Sequence, residues 1–368
     1  MTKKVAFIGL VVLILGLFLP SGATAGSSPA IIESAIDVDF PASIVFSITA
    51  ASDENVTDIR LHYTVDRMAY ARVVSEIPLI FTPSREVNAQ WVWDMRMSGG
   101  MPPGSSIDCW WTVTDAGAQT LETAPERIVI EDDRYDWHNI KQGNVTLYWY
   151  EGDAAFADEL MDAVQAALSR LSLNTGAELE DPVRLYIYAS AADLQGSMIF
   201  PQEWTGGVAF TQYGAIAIGI PPGASGLEWG RRAIAHELTH LVVHQVTFNP
   251  YNALPTWLDE GLAMVAEGEL ESQFTDIFNE ARNDSELISL RSLSSPFSAY
   301  TYQSLLSYAE SHQVVAYLIG EFGRDKMLAL LNTFARGSDY DEALVEVYGF
   351  DMDGLNAAWL AYEGAAVH

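Results

Sequence analysis

His236, Glu237 and His240 stand as His-Glu-x-x-His within Ser225–Ala263, which reads SGLEWGRRAIAHELTHLVVHQVTFNPYNALPTWLDEGLA. Two imidazoles four positions apart lie on one face of a helix and can share one ion. The carboxylate beside the first histidine is turned partway round, towards a water on that ion. Zinc lowers the pKa of such a water to about 7, and Glu237 would be the general base that takes its proton.

A third protein ligand is needed, and three residues offer one. His244 continues the same helix, and eight residues carry it about 12 Å beyond His236, so the three imidazoles cannot converge on one ion. It reads as a surface polar residue or as a group supporting the ligands. Asp259 and Glu260 open the next predicted helix, where Thr256 and Asp259 match a capping box. That use occupies Asp259 and leaves Glu260 to face the histidines, with Gly261 and Ala263 small enough for close approach, so Glu260 is preferred to Asp259.

The elements that must carry these groups are legible nearby. Ser225 and Glu228 fit a capping box at the start of the motif helix. Ile234, Leu238, Leu241 and Val242 form its apolar stripe, and Asn249-Pro250 sets its end. Upstream come a strand at Val145–Tyr150, a helix over about Ala154–Leu173 and a strand at Val183–Tyr188. Gly206–Phe210 and Ala215–Ile220 read as a hairpin, so the C-terminal part is α+β. Further helices are expected near 324–336, 339–347 and 353–364.

His-Glu-x-x-His with a glutamate twenty residues after the second histidine resembles the gluzincins, the thermolysin-like zinc metallopeptidases. PTWLDEGLA at 255–263 is similar to the peptidase MA-like domain of that group. The resemblance covers roughly residues 140–365. It implies one Zn²⁺ per chain held by His236, His240 and Glu260, with Glu237 as base and a peptide or protein as substrate. It also implies an edge strand before the motif helix that binds substrate backbone by strand addition, for which Gly206–Phe210 and Ala215–Ile220 are the candidates. A Tyr or His stabilising the oxyanion is a further implication. Tyr308 and His312 sit one turn apart on a late helix, and Tyr308 is chosen. The G-x-M-E-N motif of the zinc aminopeptidases is not found, which points to an endopeptidase. Met264 stands where thermolysin has an aspartate supporting a zinc-binding histidine.

From about Ile32 to Glu131 the hydrophobic period is two, with strands expected at Ser43–Thr49, Asp58–Val65, Glu86–Trp93, Ile107–Thr114 and Arg127–Glu131. Turns are expected between them, SDEN at 52–55 among these. The pattern is that of an immunoglobulin or fibronectin type III β-sandwich. Trp91, Trp93, Trp110 and Trp111 read as core residues rather than a carbohydrate-binding face. Glu131–Asp136 reads as a charged, solvated linker rather than a calcium site. The expected organisation is a signal peptide over 1–25, a β-sandwich over 26–133, a linker over 134–140 and the peptidase MA-like domain over 141–368, with a mixed sheet and a helical C-terminal part.

Residues 1–25 carry Lys3 and Lys4, a fifteen-residue apolar run from Val5 to Leu19, and Ala23-Thr24-Ala25. This is the form of a cleaved secretory signal; the alternative is an uncleaved anchor through residues 5–25. The expected location is extracellular or otherwise outside the cytoplasm. A net charge of -30 from 19 basic and 49 acidic side chains excludes nucleic acid and anionic membrane surfaces as partners, since phosphates are repelled. Cys109 alone makes neither an internal disulfide nor a thiolate metal cluster. Two other classes of function are weighed against the peptidase. One is a catalytically silent binding protein on the same fold, disfavoured by the intact His236, Glu237, His240 and Glu260. The other is a cell-surface structural protein with a chance motif, disfavoured by the independent match at Glu260.

Overall fold

The computed structural model describes residues 28–202, 205–251 and 253–364; the expected signal segment lies outside them. Among the described residues, no helix is long and apolar enough to cross a membrane. The described chain divides into two compact units, one ending at Arg134 and taking in 196–201, the other holding Tyr135–Gln195 and the residues from Gln202 onward.

The first unit contains β1 (Ala30–Asp39), β2 (Ser43–Asp66), β3 (Ser75–Pro78), β4 (Ser84–Asp94), β5 (Ser105–Asp115), β6 (Thr120–Glu122) and β7 (Glu126–Ile130). All their pairings are antiparallel. The first half of β2 pairs with β1 and β4, the second half with β3 and β5, and β5 pairs in turn with β6 and β7. The two strands expected at Ser43–Thr49 and Asp58–Val65 are therefore one, and SDEN is not a turn. The polar groups there find partners without reversing the chain: Ser52 donates to Asp115 and the Asn55 carbonyl accepts from Ala116 N–H. Trp91 and Trp93 pack with Phe46 and Tyr63 but, like Trp110, are only half-buried, and of the four tryptophans expected in the core only Trp111 is buried. Cys109 is buried, and burial chiefly, with Glu126 and Asp108, pushes its thiol up to about 12. Asp132, expected in a solvated linker, is buried, with its carboxylate against the Arg134 guanidinium at 2.7 and 2.6 Å.

The second unit opens with β8 (His138–Gln142), an edge strand in part of the stretch expected to be linker, followed by β9 (Val145–Trp149), α1 (Ala154–Thr175), β10 (Val183–Tyr188) and α2 (Ala191–Gln195). β11 (Gly207–Phe210) and β12 (Ala215–Gly219) complete a five-stranded mixed sheet in the order β11-β12-β10-β9-β8. Its three inner strands are parallel and both edges antiparallel. α1 starts where the Asp153 carboxylate accepts from Phe156 N–H and stops at Gly176, whose φ of 74° ends the helix in the left-handed region.

The helical part comprises α3 (Ala224–Val246), α4 (Thr256–Glu267), α5 (Ser272–Asp284), α6 (Leu290–Leu293), α7 (Thr301–Phe322), α8 (Arg324–Ala335), α9 (Tyr340–Tyr348) and α10 (Met352–Tyr362). α3 buries Ile234, Leu238, Leu241 and Val242 in one core with Leu160 and Val164 of α1 and Leu258 and Leu262 of α4. Neither expected capping box forms. Gly223 caps α3 without a side-chain bond, and Pro255 caps α4 while the Thr256 hydroxyl donates to the Ser294 carbonyl. Gly261 faces α7 rather than α3: a Cβ there would lie 2.4 Å from the Ser311 carbonyl oxygen and 2.5 Å from Val315 Cγ2. The backbones of α4 and α7 are thus in direct contact beside Glu260.

Glu310 of α7 is fully buried, and both its oxygens meet Ile288 N–H, at 2.9 and 3.1 Å. Burial pushes this carboxyl up to about 8, against the pull of the Ile288 bond. An unfolded glutamate releases its proton near the ordinary value of 4.5. Between there and 8 the folded chain holds the extra proton, so stability falls as pH rises through that window. Glu310→Gln keeps an acceptor for Ile288. It is expected to flatten the slope and to gain about 1–3 kcal/mol above pH 8, as read from denaturant midpoints across pH. Parallel pH profiles for the two proteins would refute this.

Candidate metal centre

α3 and α4 run antiparallel, and their facing sides hold every sequence-predicted ligand. The Nε2 atoms of His236 and His240 lie 3.2 Å apart, and Glu260 Oε2 lies 3.4 Å from the first and 3.6 Å from the second. His236, His240 and Glu260 therefore converge, as their spacing predicts, whereas Asp259 is drawn elsewhere.

The other ring nitrogens explain how the imidazoles are aimed. His236 Nδ1 meets Glu267 Oε1 at 2.8 Å, and His240 Nδ1 meets Asp259 Oδ1 at 3.0 Å. A carboxylate at Nδ1 fixes the proton there and leaves the Nε2 lone pair free. Two lone pairs at 3.2 Å with a carboxylate oxygen beside them repel one another unless positive charge sits between them. Glu260 Oε2 is buried and has no hydrogen-bond partner, a costly arrangement for a carboxylate. Burial opposes charge on His236, yet Glu260 and Glu267 outweigh it and raise the imidazole to about 9. His240 is raised well above its ordinary value against the same burial, through Asp259 and Glu260. Glu260, which burial alone would raise, is held at about 2 by His236 and His240. All three groups thus favour positive charge at one point.

A zinc ion with ligands at about 2.0–2.1 Å in tetrahedral array would hold its donors about 3.3 Å apart. The three observed separations and the unpartnered oxygen fit that ion.

Glu237 is the next residue on α3 but is not one of the converging donors. Its carboxylate bonds the Ala209 backbone of β11, and burial raises it above the ordinary range. Gly207 makes this possible, because a Cβ there would lie 2.9 Å from Glu237 Oε1. Tyr308 of α7 faces the same carboxylates. Burial raises its hydroxyl first, and Glu260, Glu237 and Glu267 raise it further, while Phe297 packs edge-on against its ring at 5.1 Å. His312, one turn on, bonds the Gly268 backbone instead.

Sequence reasoning missed Glu267. Its second oxygen meets Arg232 at 3.0 Å, so both oxygens of this α4 carboxylate are held by the motif helix. Met264, which stands where thermolysin has an aspartate, is buried in the core, and the acid behind His236 comes from one turn further along α4. The signal was an acid seven residues, about two turns, beyond Glu260. Asp259, expected as a helix cap, instead bridges His240 and His244, the latter at 3.0 Å from its Oδ2.

The sequence model of the Peptidase MA superfamily matches residues 163–364. That is more than half of the chain, and it takes in α3, α4 and α7. The chain belongs to this superfamily, with a gluzincin-type peptidase MA-like domain.

Among solved structures, the chain is similar to an M1 zinc metallopeptidase from Deinococcus radiodurans, at 13% identity over 87% of this chain and 90% of that one, with a TM-score of 0.38. It is also similar to Legionella pneumophila aminopeptidase A in complex with aspartic acid, at 10% identity over 90% and 50%, with a TM-score of 0.40. A third is catalytically inactive OgpA from Akkermansia muciniphila in complex with an O-glycopeptide, at 11% identity, 29% of this chain and a TM-score of 0.21. The chain spans about a third of the OgpA structure, 32% of its length. No curated protein matches the chain.

Proposed function

We propose that the chain is a secreted zinc metallopeptidase, an endopeptidase, in which His236, His240 and Glu260 hold one Zn²⁺. The observation that carries this reading is the buried, unpartnered Glu260 Oε2 within 3.6 Å of two carboxylate-backed imidazole nitrogens. Zinc held there would supply a Lewis acid that polarises a peptide carbonyl and makes water nucleophilic near neutral pH.

The chain's own groups do the rest. β11 lies at the free edge of the sheet, and a substrate backbone pairs with it as an added strand. Glu237, tied to Ala209 of that strand, removes a proton from the attacking water and delivers it to the departing amine. Tyr308 donates its hydroxyl to the oxygen on which charge develops. β11 reads Gly207-Val208-Ala209-Phe210 and presents no acid to a substrate amino group, which supports internal cleavage.

We read residues 26–133 as an immunoglobulin-like sandwich. The pairing of β1 and β4 with one half of β2, and of β3 and β5 with the other, supports this. Residues 1–25 are its secretory signal and 141–368 the peptidase domain.

Purified protein is expected to carry about one zinc per chain and to hydrolyse an unfolded protein such as casein. Chelation is expected to abolish hydrolysis and added zinc to restore it. Full activity in chelated, metal-free protein would overturn the reading.

A further inference from the structure

We propose that His244 is a positioning residue for this metal centre, acting through Asp259 on the imidazole of His240; the proposal rests on the zinc reading above. His244 is too far along α3 to reach the ion, but it is not an idle surface side chain. Asp259 Oδ1 accepts from His240 Nδ1 and Oδ2 meets His244 Nε2, each at 3.0 Å. The His240 and His244 rings are nearly perpendicular, with centroids 6.5 Å apart. The carboxylate therefore sits between two imidazoles one turn apart on the same helix, with one oxygen assigned to each.

Three features give the arrangement work to do. Asp259 is mostly buried, and a buried carboxylate with one oxygen unbonded is costly; His244, whose side chain is 34% exposed, supplies the missing donor from the solvent side. Asp259 also precedes Glu260 directly, so the same bridge fixes a ligand on each helix, His240 on α3 and Glu260 on α4. The scheme is repeated at the other histidine, where Glu267 backs His236 and is itself held by Arg232 at 3.0 Å. Each ligating imidazole thus has a carboxylate behind it, and each carboxylate a second donor behind that. Such outer contacts set ligand direction and donor strength.

The test uses full-length protein stripped of metal, with Zn²⁺ and Co²⁺ as probes. His244→Leu removes the donor, His244→Gln retains an N–H at similar reach, and His244→Ser opens Asp259 to water. Zinc affinity is read by competition with a chromophoric chelator, and ligand geometry by the visible absorption of the cobalt form. His244→Leu and His244→Ser are expected to weaken zinc binding by about 10–100-fold and to move the cobalt bands. His244→Gln should recover most of both. Wild-type affinity and spectrum in His244→Ser or in a folded His244→Leu would overturn the proposal while leaving the metal centre standing. A wild-type protein that binds neither ion would overturn the metal centre itself, and this role with it.

Discussion

Glu237→Gln protein is expected to keep its zinc and lose its hydrolysis, kcat falling by about 10²–10⁴. Glu237 is not among the atoms that converge on the metal position, so the three donors stay in place. An amide oxygen can still accept from the Ala209 backbone, so the tie to β11 survives as well. What the amide cannot do is take a proton from water and pass it on. Metal analysis with casein turnover on both proteins separates the two effects. Turnover at the wild-type rate would remove Glu237 from its role as base. Loss of zinc from the variant would mean that the carboxylate holds the ion rather than serving it.

Glu260→Ala is expected to act the other way round, on the metal first. With it goes a carboxylate oxygen that lies 3.4 and 3.6 Å from the two Nε2 atoms. Two imidazoles alone make a far weaker site. The measurement is the zinc-dependent shift in unfolding midpoint. A ligand bound only by the folded state at 1,000 times its Kd stabilises that state by about 4 kcal/mol. Wild-type protein should show such a gain and the variant almost none. Residual hydrolysis should track the zinc still bound. A variant that gained as much stability from zinc as wild type does would leave the third ligand to be found elsewhere, and Asp259 would be the first place to look.

The convergence of His236, His240 and Glu260 was legible because four residues make one helical turn and a proline-bearing turn returns the chain antiparallel. The capping box and the close approach of Gly261 to α3 that favoured Glu260 over Asp259 do not form, however. α1 and the last three helices were legible from local signals, with capping aspartates at α1, α9 and α10, while α8 starts at Gly323 without a side-chain cap. The support behind the ligands was not. Glu267 and Asp259 meet the imidazoles across two helices, and which acid reaches which ring depends on how α3 and α4 cross. Asp259 shows the competition clearly. Its position suits a helix cap, but two histidines offer a buried carboxylate more than a backbone N–H does. The polar run at 52–55 misled for the opposite reason. Polar residues mark turns because their backbone usually needs water, and here β5 and the loop after it meet that need. Likewise β8 is polar along nearly its whole length, as an edge strand can be, and so reads as linker.

The missing side chain at Gly261 has a consequence for motion in the proposed peptidase. With Ser311 lodged where a methyl group would be, the helix bearing Glu260 and the helix bearing Tyr308 cannot slide past each other without breaking backbone contact. The Glu260 carboxylate and the Tyr308 hydroxyl are parts of one stiff block. In the proposed peptidase, adjustment to substrates of different girth then falls to the four-residue strand β11, which among the described residues is joined to the sheet along one side only.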